Sequence, residues 1–154
     1  MSRITCRTPS TGRAIRISFS NVETNFTTIA QSVDFSVPDT SRRFNIRDPL
    51  DDNRTIRPGE LFFLTPLSAV NKTDEARWIE VRLLTEEGQS ISFGRVEVPG
   101  NDTVYIPLQG RSLFKRNPNT TNGDRLQVRA EAAGTFDVWA SAEEKLSNEH
   151  TGVE

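Results

Sequence analysis

Short runs of alternating apolar and polar residues are the feature of this sequence that most constrains its fold. In one run, Ile79, Val81 and Leu83 are separated by charged residues at positions 80 and 82. Successive side chains of a β-strand point to opposite faces of the sheet, so this spacing predicts a strand with one buried face. No window of about 11 residues has the apolar spacing of an amphipathic helix. The pattern therefore predicts an all-β protein.

Turn-forming residues separate these runs, as at Pro58-Gly59 and Pro99-Gly100. Proline presets φ for the first central position of a turn, and glycine tolerates a positive φ at the next. Many short strands with such punctuation are typical of sandwiches and jelly rolls, so we predict a single β-sandwich that is jelly-roll-like. Its predicted core consists of Ile79, Val81, Leu83, Phe93, Val104, Ile106, Leu126, Val128, Phe136 and Val138.

The domain organisation follows from length and local composition. The chain has 154 residues, enough for one domain with a core. Residues 1–13 are polar and contain Pro9 and Gly12, so we predict an extended N-terminal arm, with the sandwich over 14–142 and a polar tail over 143–154. The arm has little apolar surface to offset an ordering entropy of about 1–2 kcal/mol per residue. We therefore expect it to become ordered only on assembly.

Charge is small in total but uneven along the chain. The net charge is −2, which gives no general attraction to nucleic acid or to an anionic membrane. Residues 1–22 contain four arginines and no acid, whereas residues 140–154 contain four glutamates and one lysine. The two ends could bind different partners, or both could be solvated termini.

Targeting signals and disulfides are not predicted. No apolar stretch approaches the about 20 residues of a transmembrane helix, and residues 1–22 contain no apolar signal-peptide core. The single cysteine, Cys6, excludes an internal disulfide and fits a reducing cytoplasm. We expect Cys6 to be a free thiol, with a bond to another chain as the alternative. The five Asn-x-Ser/Thr sequons are interpreted as a by-product of Asn- and Thr-rich turns.

The chemistry-bearing residues do not predict an enzyme, a metal site or a cofactor. The single histidine, His150, and Cys6 lie near opposite ends of the chain, outside any predicted strand. The carboxylate pairs 51–52 and 86–87 are sequence neighbours, which a strand points to opposite faces, so neither is a dyad by itself. Residues 48–53 offer oxygen ligands without the spacing of an EF-hand. An acidic turn balanced by arginines is favoured there, and calcium binding is the alternative.

Surface contacts are the favoured use of the remaining polar and aromatic residues. Trp78 and Trp139 fall on the polar faces of their strands, where each could anchor an interface, stack on a sugar or belong to a core buried on both faces. The loop 110–124 is basic, with one aromatic residue, and fits a protein contact better than nucleobase stacking. The predicted interface residues are Arg3, Cys6, Arg7, Arg13, Arg54, Arg57, Trp78, Phe114, Lys115, Arg116 and Trp139.

Three segments of the C-terminal half resemble small virion proteins of tailed bacteriophages. They are VPGNDTVYIPLQG at 98–110, NGDRLQVRA at 122–130 and SAEE at 141–144. The shared feature is a pattern of strands and turns, so no functional residue is carried over. The resemblance implies a structural subunit of the head surface, neck or tail that assembles in the host cytoplasm and functions in the virion.

The sequence and the resemblance together lead to one expected function and two alternatives. We expect a non-enzymatic virion structural protein that binds a capsid, neck or tail lattice through its arm and loops, as a homo-oligomer in contact with other virion subunits. No membrane partner or cofactor is expected, and nucleic acid is not a favoured partner. The first alternative is a carbohydrate-binding sandwich that uses Trp78 or Trp139, and the second is an enzyme.

Overall fold

The structure is a computed structural model that describes residues 13–32, 35–38, 47–48, 51–57, 59–115 and 123–146. The described residues form strands joined by turns and loops, and none forms a helix that could span a membrane. The strands are β1 (Arg13–Phe19), β2 (Thr27–Gln31), β3 (Phe35–Pro38), β4 (Arg47–Asp48), β5 (Asp51–Arg57), β6 (Gly59–Phe63), β7 (Leu67–Asn71), β8 (Arg77–Leu84), β9 (Ser90–Val98), β10 (Thr103–Ile106), β11 (Ser112–Phe114), β12 (Arg125–Ala130) and β13 (Phe136–Leu146).

The first sheet is built around β13, its longest strand. β1 pairs antiparallel with one edge of β13, while β7 and β6 follow one another along the other edge. β10 and β11 pair with β7 and β6 in turn. The six strands therefore occupy four positions across the sheet, which we call long lines. In order these are β1, β13, β6 and β7 end to end, and β10 and β11 end to end.

A local irregularity separates β6 from β7 and fixes their registers. The backbone N–H groups of Leu64 and Thr65 both donate to the carbonyl oxygen of Ser141, at 2.9 and 3.3 Å. The Thr65 hydroxyl accepts a hydrogen bond from the Ser141 N–H at 2.9 Å. Pro66 follows, and it has no N–H to contribute to a ladder. The chain thus keeps its pairing with β13 on both sides of a short bulge.

The second sheet has the order β2, β12, β8 and β9. When the long lines of both sheets are numbered along the chain, the first sheet reads 1-8-3-6 and the second reads 2-7-4-5. This is the strand order of a jelly roll made from two Greek keys. The predicted all-β, jelly-roll-like sandwich is therefore confirmed.

The core lies between these sheets and contains the residues expected from the alternation. Seven of the predicted residues are buried, namely Ile79, Val81, Ile106, Leu126, Val128, Phe136 and Val138. The other three, Leu83, Phe93 and Val104, are partly buried and pack against that cluster. Val22 and Val98 are also fully buried, although they lie in a loop and at a strand end.

A small third sheet and the ends of the sandwich complete the described structure. The third sheet has the order β3, β5 and β4, and its strands come between β2 and β6 in the chain. β1 begins at Arg13, the last residue of the predicted arm, and residues 1–12 lie outside the described residues. Residues 143–146 of the predicted tail instead continue β13. They do so because residues 59–62 of β6 provide their backbone pairing partners.

Candidate binding surfaces

The outer face of the first sheet carries an exposed tryptophan. Along β13, Val138 and Ala140 point into the core, so Trp139 between them points outward. Trp139 is 41% exposed, even though large apolar side chains are usually well covered. Among the readings open for Trp139, burial on both faces of the strand is therefore excluded.

Strand register aligns Trp139 with a second exposed aromatic ring. Trp139 lies opposite Ser18 on β1 and opposite Ser68 on β7, and Ser68 lies opposite Tyr105 on β10. We call these four residues the tryptophan row. Tyr105 is 66% exposed, and the buried Ser68 stands between the rings. Two strand spacings place the two backbones about 9.5 Å apart, with a small side chain between them.

Charged and polar groups border the tryptophan row. The Arg16 guanidinium lies 5.6 Å from the centre of the Trp139 ring. A second charged group lies near Asn21, which follows the C-terminal end of β1. There the Lys72 ammonium lies 3.0 Å from the Asp137 carboxylate and 2.6 Å from the side-chain oxygen of Asn21. Burial acts to raise the pKa of Asp137, but the backbone N–H of Asn21 and then Lys72 outweigh it and hold that pKa below its ordinary value. The row thus has two exposed aromatic rings, with charged groups beside its Trp139 end.

The outer face of the second sheet carries alternating guanidinium groups and aromatic rings. In spatial order they belong to Arg95, Trp78, Arg129, Phe26 and Arg82, and we call this set the arginine–aromatic ladder. Successive guanidinium-to-ring distances are 4.0, 5.9, 4.6 and 3.8 Å. Each ring therefore has two guanidinium neighbours, and such contacts contribute about 0.5–1 kcal/mol each at exposed sites.

Glu80 and Gln127 hold the ladder arginines in place. The Glu80 carboxylate accepts hydrogen bonds from Arg129 at 2.7 and 2.8 Å and from Arg95 at 3.4 Å. Arg82 donates to the side-chain oxygen of Gln127 at 2.8 Å. Burial acts to raise the pKa of Glu80, but Arg129 and then Arg95 outweigh it, so that pKa lies below its ordinary value. Glu80 is therefore ionised and paired at neutral pH.

The predicted interface residues have different positions in the structure. Trp78 is half-buried in the ladder and Trp139 is exposed in the tryptophan row, on opposite sheets. Phe114 is half-buried in β11. Arg13 lies in β1, and Arg54 and Arg57 lie in β5. Four predicted interface residues lie outside the described part of the chain: Arg3, Cys6, Arg7 and Arg116. Residues 49–50, which belong to the segment considered for calcium binding, also lie outside it.

Lys115 differs from its prediction as a surface contact. Its side chain is 1% exposed, so its ammonium group is not available at the surface. Lys115 is buried because residues 123–124, at the other end of the loop, approach it closely. A Cβ atom at Gly123 would lie 2.7 Å from that of Lys115, and the Asp124 N–H donates to the Phe114 carbonyl at 2.8 Å. The two ends of the loop thus pack together over Lys115.

Sequence reasoning missed several residues of these surfaces. Tyr105 and the arginines at 95 and 129 were not among the predicted interface residues, although each alternates with core positions in its strand. Phe26 lies before β2 and reaches the ladder from outside a strand. Among the described residues, no three His, Cys, Asp or Glu side chains are grouped as metal ligands.

Comparisons with known proteins do not assign the chain to a family. No family model matches it, and no curated protein matches it. Among solved structures, it has a likeness to the CBM22-1–GH10 modules of xylanase 10B from Clostridium thermocellum, complexed with xylohexaose, at 6% identity and a TM-score of 0.35. That match covers 91% of this chain and 29% of the xylanase chain. A likeness this low bears on neither fold family nor function.

Proposed function

We propose that this protein is a non-enzymatic virion structural protein that binds a capsid, neck or tail lattice. The observation that carries the proposal is the tryptophan row, two exposed aromatic rings on the outer face of a sandwich sheet. Tryptophan, tyrosine and arginine are the residues most enriched among interface hot spots, and Trp139, Tyr105 and Arg16 supply one of each.

The layout of the row fits a protein interface. Interfaces have an apolar, aromatic centre and a polar rim. Here the two rings supply the aromatic part, while Arg16 and the Lys72–Asp137 pair supply charged groups beside Trp139. Ser68 lies between the two rings in the strand register and is itself buried. A rigid sheet supports these groups, which lowers the entropy cost of binding.

The virion is proposed as the assembly because of the resemblance of segments 98–110, 122–130 and 141–144 to bacteriophage virion proteins. Two of these segments contribute strands to the first sheet, and Tyr105 belongs to one of them. The arm and the loops remain proposed as further contacts with neighbouring subunits. Assembly as a homo-oligomer belongs to the same proposal.

Proteomics of purified virions tests this assignment. Particles from the phage that encodes this chain are expected to contain it at a fixed ratio to the major capsid protein after density-gradient purification. Imaging of particles that carry a tagged copy then locates it at the head, neck or tail. Absence of the chain from gradient-purified particles, with detection in the infected-cell lysate as the control, contradicts the proposal.

Carbohydrate binding is a second candidate function, favoured by the separation of the two rings. Trp139 and Tyr105 lie two strands apart on one face of the sheet, so each could stack on a different ring of an extended glycan. Arg16, 5.6 Å from the Trp139 ring, and the Lys72–Asp137 pair carry the hydrogen-bonding groups that sugar hydroxyls require. A glycan array probed with the protein and with Trp139→Ala tests this candidate. Binding that is lost in Trp139→Ala and kept in Trp78→Ala supports it, and no binding to any glycan contradicts it.

A further inference from the structure

We propose that the outer face of the second sheet is a separate docking surface for an acidic peptide segment of a partner protein. The outward positions of β8, β9 and β12 carry six charged residues: Arg82, Arg95, Arg125, Arg129, Glu80 and Glu97. At these strand positions four arginines against two glutamates give a charge of +2, whereas the whole chain has −2. The charge of the face therefore attracts a partner of the opposite sign.

The guanidinium groups are held in place before any partner arrives. Arg82 and Arg129 lie 3.8 and 4.6 Å from the Phe26 ring, and each also has a side-chain hydrogen-bond acceptor. A guanidinium stacked on a ring keeps the N–H groups along its edge directed away from that ring. Such edges match the two oxygens of a carboxylate. Because the side chains are already ordered, binding loses less conformational entropy than it would with free arginines.

Arg95 is the most accessible member of the ladder. Its side chain is 55% exposed, and its nearest contact with Glu80 is long, at 3.4 Å. Arg129 satisfies the same carboxylate at 2.7 Å. Arg95 can therefore turn an N–H edge to an incoming carboxylate without leaving Glu80 unpaired.

The ladder favours an acidic peptide over a nucleic acid. Single-stranded nucleic acids bind through bases stacked on open aromatic faces beside a basic groove. The Trp78 and Phe26 rings each have two guanidinium groups within 5.9 Å of the ring centre, so a base would have to compete with these groups for the rings. A net charge of +2 also releases few counterions from a duplex. Side-chain carboxylates need only the N–H edges that the ladder provides.

Titration with fluorescently labelled poly-L-glutamate tests this surface on the full chain. Fluorescence anisotropy at low salt is expected to show saturable binding that weakens as salt is added. The Arg82→Gln, Arg95→Gln double variant is expected to raise the Kd about tenfold, since it removes two charge-assisted contacts. The Arg95→Gln single variant, at an exposed position, retains the test if the double variant melts at a lower temperature.

A matched control separates the ladder from overall charge. Lys145→Gln removes from the first sheet the same single charge that Arg95→Gln removes from the ladder, and it is expected to leave the Kd within about twofold. An equal loss in this control, or no binding to poly-L-glutamate at low salt, overturns the proposal. So does an oligonucleotide that binds more tightly than poly-L-glutamate with the same dependence on Arg95. These outcomes are independent of the tryptophan row, because the ladder variants leave Trp139 and Tyr105 unchanged.

Discussion

Arg129 and Glu80 lie directly opposite each other on β12 and β8, and their side chains meet on the outer face of the second sheet at 2.7 Å. This pair sits at the centre of the arginine–aromatic ladder, because Arg129 also lies near both of its rings. Cross-strand pairs of this kind stabilise sheets. The second sheet thus has one face packed on the core and the other covered by an ordered polar network.

Replacing Glu80 with glutamine is expected to destabilise the protein by about 1–3 kcal/mol at neutral pH, because Arg129 and Arg95 lose a charged acceptor. Urea denaturation monitored by circular dichroism measures this change. The Glu97→Gln variant, at an exposed position of the same face, is the control and is expected to change stability by less than about 0.5 kcal/mol. Equal effects of the two substitutions would show that the ladder contributes no more than ordinary surface charge.

The same variant predicts a change in acid sensitivity. The pKa of Glu80 is lowered from 4.5, so the folded protein holds the ionised form more strongly than the unfolded chain does. That contribution to stability is complete above the unfolded pKa and is lost as the pH falls through the lower folded pKa. Wild type is therefore expected to lose more stability than Glu80→Gln between about pH 5 and about pH 3. Parallel stability curves over this range would contradict the lowered pKa.

Asn71 is expected to be the most sensitive polar residue of the described core. Its amide donates to the carbonyls of Glu75 and Val98 at 2.8 and 3.0 Å, and its side-chain oxygen accepts from the Thr73 N–H at 2.9 Å. The residue is fully buried, so Asn71→Ala leaves these backbone groups without partners at a cost of about 3 kcal/mol. Chemical denaturation of Asn71→Ala, with the exposed Asn25→Ala as control, measures the loss. A change below about 1 kcal/mol would mean that water replaces the amide.

Gly100 is expected to tolerate no side chain, for a steric reason. A Cβ atom there would lie 2.3 Å from the carbonyl carbon of Asp74, which is backbone and cannot rotate away. Gly100→Ala is expected to cost more than about 2 kcal/mol. Gly88→Ala is the comparison, since Gly88 has open space but a φ of 90°, and its cost is expected to be nearer about 1 kcal/mol. Thermal melting distinguishes them, and a smaller loss at Gly100 would contradict the close approach.

The two tryptophans are expected to differ in their effect on stability. Trp78 lies 4.0 Å from the Arg95 guanidinium and is half-buried, so Trp78→Ala removes packing and cation–π contacts. Trp139 is exposed, and Trp139→Ala is expected to lower stability by less than about 1 kcal/mol. The loss for Trp78→Ala is expected to be at least about twice as large. Denaturation midpoints in the opposite order would mean that Trp139 supports the fold and not a binding surface.

The alternation of residues predicted the interior better than the surface. Ile79, Val81 and Leu83 take the inward positions expected of them, because a period of two in a strand fixes which side chains share a face. Lys115 could not be predicted, since its burial depends on Gly123 closing over it from across a loop. The pattern along a single strand does not contain that contact.

The two surfaces could be predicted in part only. The alternation points Trp139 and Tyr105 outward in their own strands, but only the register through Ser68 places them in one row. Register depends on bulges, and a shift of one residue turns every side chain of a strand to the other face. The bulge between Phe63 and Leu67 and the shift in β9 are therefore as important for the surfaces as the aromatic residues themselves.

Incorporation of surface variants into particles tests the proposed docking role of the tryptophan row most directly. Phage lacking its own copy of the gene would be grown in cells that supply the Trp139→Ala, Tyr105→Ala double variant, and gradient-purified virions would be quantified by mass spectrometry. Ile91→Ala, a truncation at an exposed position of the second sheet, is the matched control. We expect at least about a tenfold loss of the double variant from virions, with the control at wild-type occupancy. Full occupancy by a double variant that melts like wild type would contradict it.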